Sequence, residues 1–193
     1  ARPHVHSDVD KPRYTLPEDA NRYAVVVGIE KYPALPEAAY AERDAEAVRE
    51  HLLALGYPSR NVVLLTGTAA SRAGLAKNIE TWLPNNVKQG GTVFFYYSGH
   101  GAPDPASGEA YLVPADGDPQ YLGDTAYSLK RLYERLRALK AKRVYVVLDS
   151  CFSGAGGRSV LAKGTRPLVQ KVDLKGPSGT DAIAAFAAWE GDQ

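Results

Sequence analysis

The 193-residue chain has no methionine and a single cysteine, Cys151. One cysteine excludes an internal disulfide, so the fold must be held by its own core. An excess of charge of either sign is missing too. Lys and Arg number 23 against 22 Asp and Glu, for a net charge of +1. With no basic run interleaved with aromatics, this excludes a nucleic acid held by bulk electrostatics. No apolar run approaches the roughly 18 residues of a membrane span. Without an initiator methionine, Ala1 is expected to follow either a removed export signal or a trimmed boundary. The chain reads as soluble, cytoplasmic or exported, with no compartment assigned.

What is present suits one globular domain, since 45% of the residues are hydrophobic. Residues 1–22 carry Pro3, Pro12 and Pro17 without apolar periodicity and read as a loosely held arm. The domain proper is expected over residues 23–193. The β-branched runs Tyr23–Ile29, Asn61–Leu65, Thr92–Tyr97 and Arg143–Leu148 read as strands buried on both faces. Between them lie helical spacings. Ala41, Ala45, Val48, Leu52 and Leu55 form one stripe, closed by Gly56. A second has Ser71 as cap and Leu75, Ile79, Trp82 and Leu83 on one face, with a stop near Pro84. A third opens at Ser128 with Leu129, Leu132, Tyr133, Leu136 and Leu139. Ala110–Pro114 reads as a short extended piece, and Ala182–Trp189 as a fifth strand in preference to a helix. Strands alternating with helices predict an α/β fold, a mostly parallel sheet flanked on both faces.

In such sheets sites form at the carboxyl ends of strands. His100 lies within three residues of the third strand's end and Cys151 within three of the fourth's. One crossover through the Leu129–Leu139 helix makes those strands neighbours, so topology brings a lone cysteine and a glycine-flanked histidine to one edge. That pair has a chemistry. A free thiol has a pKa near 8.5, so it is mostly protonated at neutrality. An adjacent imidazole can stabilise the thiolate and later protonate a leaving amine. Gly99 and Gly101 permit a sharp turn beside a substrate. The N–H groups of Gly101 and Cys151 are the candidate oxyanion donors, each such donor being worth roughly 3 kcal/mol.

The segments "YYSGHG" and "DSCFSG", each after an apolar strand, resemble the caspase-like cysteine peptidases, most closely the metacaspase and bacterial orthocaspase branch. A histidine about fifty residues before the cysteine is a known spacing in caspases. The resemblance covers roughly Tyr23 to Trp189. It implies a three-layer α/β/α caspase–haemoglobinase fold, a His100–Cys151 dyad, and a peptide or protein substrate. It also implies a further strand and helix after Gln193, and so a C-terminal fragment as a partner.

Caspases proper have Gln two residues before the cysteine, where this chain has Asp149. Asp44, in "AERDAEAV", resembles the helix start of metacaspases and falls on the apolar stripe of its helix. Each is read either as a local structural carboxylate or, with the resemblance, as lining a specificity pocket walled by Ser98. Two partly desolvated carboxylates call for a cation, so the expected cleavage is after Arg or Lys. The loop after Cys151 is basic. It is read as a solvated loop or as a self-processing segment with candidates Arg158, Lys163, Lys171 and Lys175. Arg166 is the poorest, because Pro167 follows it. The chemistry requires no cofactor. Calcium, which many metacaspases need, has candidate ligands in Asp116, Asp118 and Asp124, which equally suit turns and lack the EF-hand pattern.

Three other readings are weaker. A cysteine phosphatase needs Cys-x5-Arg, whereas Cys151 and Arg158 are separated by six residues. A nucleotide-binding module needs a glycine-rich loop that "VVVGIEKYPALP" does not supply. An inactive binding scaffold would not need both His100 and Cys151. His4 and His6 form no metal set, and His51 sits on a helix surface. Tyr96 and Tyr97 alternate across their strand, so only one can face the side where the His100 loop enters.

Overall fold

The computed structural model describes residues 10–104 and 107–150, with the backbone of residues 183–187. Five parallel strands form the central sheet: β1 (Arg22–Gly28), β2 (Val62–Thr66), β3 (Thr92–Ser98), β7 (Arg143–Asp149) and β8 (Ile183–Ala187), in the order β2-β1-β3-β7-β8. The β-branched runs end in these strands because a strand covered on both faces needs apolar residues at every position. The fifth strand expected over 182–189 is β8, paired in parallel with β7.

Alternation divides the core in two. Val25, Phe95 and Val146 face α2 (Arg72–Lys77), α3 (Leu83–Asn86) and α5 (Leu129–Arg137), burying Leu75, Leu83, Leu132 and Leu136. Ala24, Val26 and Tyr96 face α1 (Ala41–Ala54), burying Ala45 and Leu52. Helices therefore cover both faces, the three-layer α/β/α arrangement expected. The first strand's chain turns one way to β2 and crosses back to β3, so the order reverses between β1 and β3. Such a reversal opens a crevice at the carboxyl edge.

The helix signals act locally as their chemistry predicts. Ser71 Oγ accepts from the Gly74 N–H at 3.1 Å, and Ser128 Oγ from the Arg131 N–H at 3.3 Å. Gly56, at φ 89°, ends α1 by sending its N–H to the Leu53 carbonyl while Tyr57 N–H reaches Leu52. That is the paired-bond C-terminal motif which a left-handed glycine permits. The second helix departs from expectation in its course. It ends at Asn86, close to the expected stop at Pro84, but reaches it through a π turn over Asn78–Trp82. The wider turn shifts the bonding pattern just where proline has no N–H to give.

Two further differences concern the periphery. The arm is not loosely held from Asp10 onward. Asp10 pairs with Arg43, and the Leu16 and Asp19 N–H groups donate to the Ala54 and Gly56 carbonyls at 2.7 and 2.8 Å. Residues 1–9 lie outside the described residues. The extended piece at 110–114 is β5 (Ala110–Leu112), in a small antiparallel sheet with β4 (Gly101–Pro103) and β6 (Tyr127–Ser128). A helical turn, α4 (Leu122–Thr125), precedes β6.

Two consequences can be tested. A Cβ on Gly28 would lie 2.6 Å from the Ala45 Cβ and 2.9 Å from the Glu42 Cα, with the Ala41 carbonyl closer still. Gly28→Ala is thus expected to cost about 1–3 kcal/mol in urea unfolding; an unchanged midpoint would show that α1 does not seat on β1 this way. Glu80 accepts two bonds from Arg131, at 2.7 and 2.8 Å, and one from the Tyr127 hydroxyl at 2.8 Å. Hydrogen bonding to Arg131, foremost, holds its carboxyl below the ordinary 4.5. A depressed carboxylate contributes stability that is present above that value and is lost as pH falls below it. Glu80→Gln should therefore lose about 1 kcal/mol near neutrality, and the gap to wild type should close in acid. A gap independent of pH would rule out the ionic contribution.

Candidate active site

The sheet ends level. Gly28 pairs with Ser98, and Ser98 with Asp149, in one line across β1, β3 and β7. His100 is two residues past Ser98, and Cys151 is two past Asp149 in sequence. Cys151 itself lies outside the described residues, as do Arg158, Lys163, Lys171 and Lys175.

His100 is fully buried. Its Nε2 lies 2.7 Å from the Pro36 carbonyl oxygen. A carbonyl can only accept, so Nε2 carries the proton, and Nδ1 of the neutral ring is the basic nitrogen. Nδ1 is buried and has no hydrogen-bond partner among the described residues. Buried polar atoms are seldom left so, and functional sites are where the exceptions gather. The sequence indicated no group to orient this imidazole. The structure supplies a main-chain oxygen, which no residue pattern could have signalled.

The loop's main chain is held as firmly. The His100 N–H donates to the Tyr32 hydroxyl at 2.9 Å, and the two rings sit 4.7 Å apart, tilted by 57°. The His100 carbonyl accepts from the Val113 N–H at 3.0 Å, and the Tyr97 hydroxyl lies 2.8 Å from it. Of the two alternating tyrosines, Tyr97 thus lies under the His100 loop, while Tyr96 faces α1. Gly101 is paired with Leu112. Because Val113 bonds back to His100, Gly101 and Leu112 form a pair whose own N–H and C=O groups point away from each other. The Gly101 N–H is therefore directed off the ladder.

Ser98 and Asp149 stand on the α1 side of the sheet. Ser98 is fully buried, and its hydroxyl lies 3.3 Å from Asp149 Oδ2. Asp149 is half-buried at the end of β7, and Asp44 is half-buried in the first turn of α1. α1 covers that same face, so the two carboxylates share a face and an edge. The calcium candidates do not converge. Asp116 Oδ1 accepts from the Arg72 N–H at 2.7 Å and Asp118 Oδ1 from the Gln120 N–H at 2.9 Å. Thr125 Oγ1 closes the same turn, 2.9 Å from the Asp118 carbonyl and 2.8 Å from the Tyr121 carbonyl. Among the described residues no group of three His, Cys, Asp or Glu side chains is assembled to hold a metal ion. As placed, Asp116 is held to the start of α2 and Asp118 to its own turn. Also among the described residues, no helix is long and apolar enough to cross a membrane.

A sequence model of the caspase domain matches residues 21–192. Over 148 residues the chain is 28% identical to a probable protease from a Desulfuromonadales bacterium. That alignment covers 67% of this chain but 18% of the relative, so the chain spans less than a fifth of that relative's length. Among solved structures, the chain is similar to the crystal structure of a Geobacter sulfurreducens protein. The TM-score is 0.60 and the identity 21%, covering 86% of this chain and 72% of the other. A likeness at that identity shows a shared fold.

Proposed function

This chain belongs to the caspase domain family, and on that premise we propose that it is a cysteine endopeptidase whose Cys151–His100 dyad cleaves peptide bonds after Arg or Lys. The observation that carries this reading is the state of His100: Nε2 committed to the Pro36 carbonyl, and Nδ1 buried without a partner among the described residues, at the edge toward which β7 leads.

The chemistry follows from that tautomer. Nδ1 takes the thiol proton of Cys151, and the imidazolium so formed is stabilised by its bond to the Pro36 oxygen. The thiolate attacks the scissile carbonyl carbon. The developing oxyanion is met by the N–H groups of Gly101 and Cys151. Collapse of the tetrahedral species breaks the C–N bond, and the Nδ1 proton goes to the leaving amine. A water molecule, deprotonated by Nδ1, then hydrolyses the thioester and restores the thiol.

Specificity is assigned to Asp44 and Asp149 with Ser98 at the wall. Two carboxylates on one covered face are best matched by a guanidinium or ammonium from the substrate. The same preference makes Arg158, Lys163, Lys171 and Lys175 candidates for self-processing.

A fluorogenic panel with Arg, Lys or Asp before the scissile bond tests the reading. Cleavage after Arg or Lys, abolished by Cys151→Ala and by His100→Ala, is expected. Faster cleavage after Asp would overturn the acidic pocket but not the dyad, and cleavage surviving Cys151→Ala would overturn the dyad. Fragmentation of Cys151→Ala at the wild-type rate would remove self-processing. Asp149→Asn and Asp44→Asn should each reduce kcat/KM for the Arg peptide by roughly 10- to 100-fold, the worth of one charge-assisted bond. Unchanged kcat/KM in both would move the pocket elsewhere.

A further inference from the structure

Tyr32 touches His100 more extensively than the chemistry above requires. It sits in the loop after β1, between Ile29, whose N–H donates to the Ser98 carbonyl at 3.0 Å, and Ala38, whose N–H donates to the Glu30 carbonyl at 2.9 Å. The loop is thus tied to β3 at its start and closed on itself at its end. It offers two atoms to His100: the Tyr32 hydroxyl to the main-chain N–H and the Pro36 oxygen to the side chain. Beneath the histidine, Tyr32 and Tyr97 share a hydrogen bond, and burial, foremost, pushes the Tyr97 phenol well above its ordinary range. Tyr97 therefore keeps its proton and can always donate, to the His100 carbonyl or to Val113, each 2.8 Å away. Gly99 makes this possible, because a Cβ there would lie 2.5 Å from the Tyr32 hydroxyl and 3.0 Å from that of Tyr97.

We propose that Tyr32 is a positioning residue that, with Tyr97, clamps the His100 peptide so that Nε2 reaches Pro36 and Nδ1 is the nitrogen left to act. A single donor or acceptor on the ring could be satisfied by a flipped imidazole. Fixing the main-chain N–H and carbonyl together sets the point from which the ring reaches the Pro36 oxygen, and the Tyr32 ring, 4.7 Å away, flanks it there. Tyr32 acts through His100 and touches no reacting atom. The catalytic consequence rests on the reading of His100 as the dyad's acid–base group, whereas the clamp itself does not.

The test uses Tyr32→Phe, which keeps the ring and deletes the hydroxyl. Two readouts are needed: steady-state kinetics on the Arg peptide, and nitrogen-15 NMR of the His100 ring, identified by its loss in His100→Ala. The expected result is a kcat reduced about tenfold, the worth of one hydrogen bond, with KM unchanged. The NMR should show loss of the single Nε2–H tautomer of the wild type. Tyr97→Phe should act in the same direction but less, since Val113 still holds the carbonyl, and it serves as the test if Tyr32→Phe does not fold. A ring that keeps the wild-type tautomer in the folded variant overturns the proposal, as does a kcat loss matched by loss of folded protein. If wild type shows no cleavage dependent on Cys151 and His100, the peptidase reading has failed. The tautomer measurement then still decides the clamp.

Discussion

The level ending of three parallel strands is the constraint on which this site depends. Gly28, Ser98 and Asp149 lie in register across β1, β3 and β7. Parallel strands lie about 4.8 Å apart. Residues just past such a line are therefore held within side-chain reach of each other before any specific bond forms. The register is itself set by burial. A one-residue slip of β3 would exchange Phe95 and Tyr97 with Phe94 and Tyr96, turning a phenol meant for the His100 loop toward α1. The core on both faces is thus what fixes the site's geometry, and the local hydrogen bonds refine it.

That dependence explains what could be read in the residues beforehand. Strands buried on both faces and helices with a continuous apolar stripe announce themselves by period, and Ser71, Ser128 and Gly56 mark helix ends because each meets an orphan backbone group. His100 was legible because two glycines and a strand end set it apart. The π turn before Pro84 was not, since it is a backbone adjustment available to many sequences. Neither was β4, three residues long and without alternation, which exists because β5 gives it a partner. The hold on residues 10–22 was hidden for a similar reason: beside the Asp10–Arg43 pair, main-chain groups of Leu16 and Asp19 make it, and they carry no signature of residue type.

The same distinction runs through the site. Side chains with unusual chemistry stand out in a sequence, whereas the groups that orient them are often main-chain atoms or common residues. Pro36 contributes a carbonyl that every residue possesses. Tyr32 is one of twelve tyrosines, and only its approach to His100, permitted by Gly99, sets it apart. Asp44 and Asp149 occupy the middle ground. Their positions at a helix start and a strand end suit local structure as well as a pocket, and what favours the pocket is that α1 brings both to one face.

The arrangement around His100 also has a thermodynamic side. Among the described residues Nδ1 has no partner, and a buried polar group left so costs of the order of 1–3 kcal/mol. The surrounding structure must over-determine the ring, or the imidazole would turn to satisfy Nδ1. Four contacts do this: Pro36 on Nε2, Tyr32 on the main-chain N–H, and Val113 and Tyr97 on the carbonyl. The loop after β1 supplies two of them and is anchored to Ser98 at the base of the same edge. The other two come from β3 and from the residue that β5 leads into, so the ring's place depends on elements from both sheets.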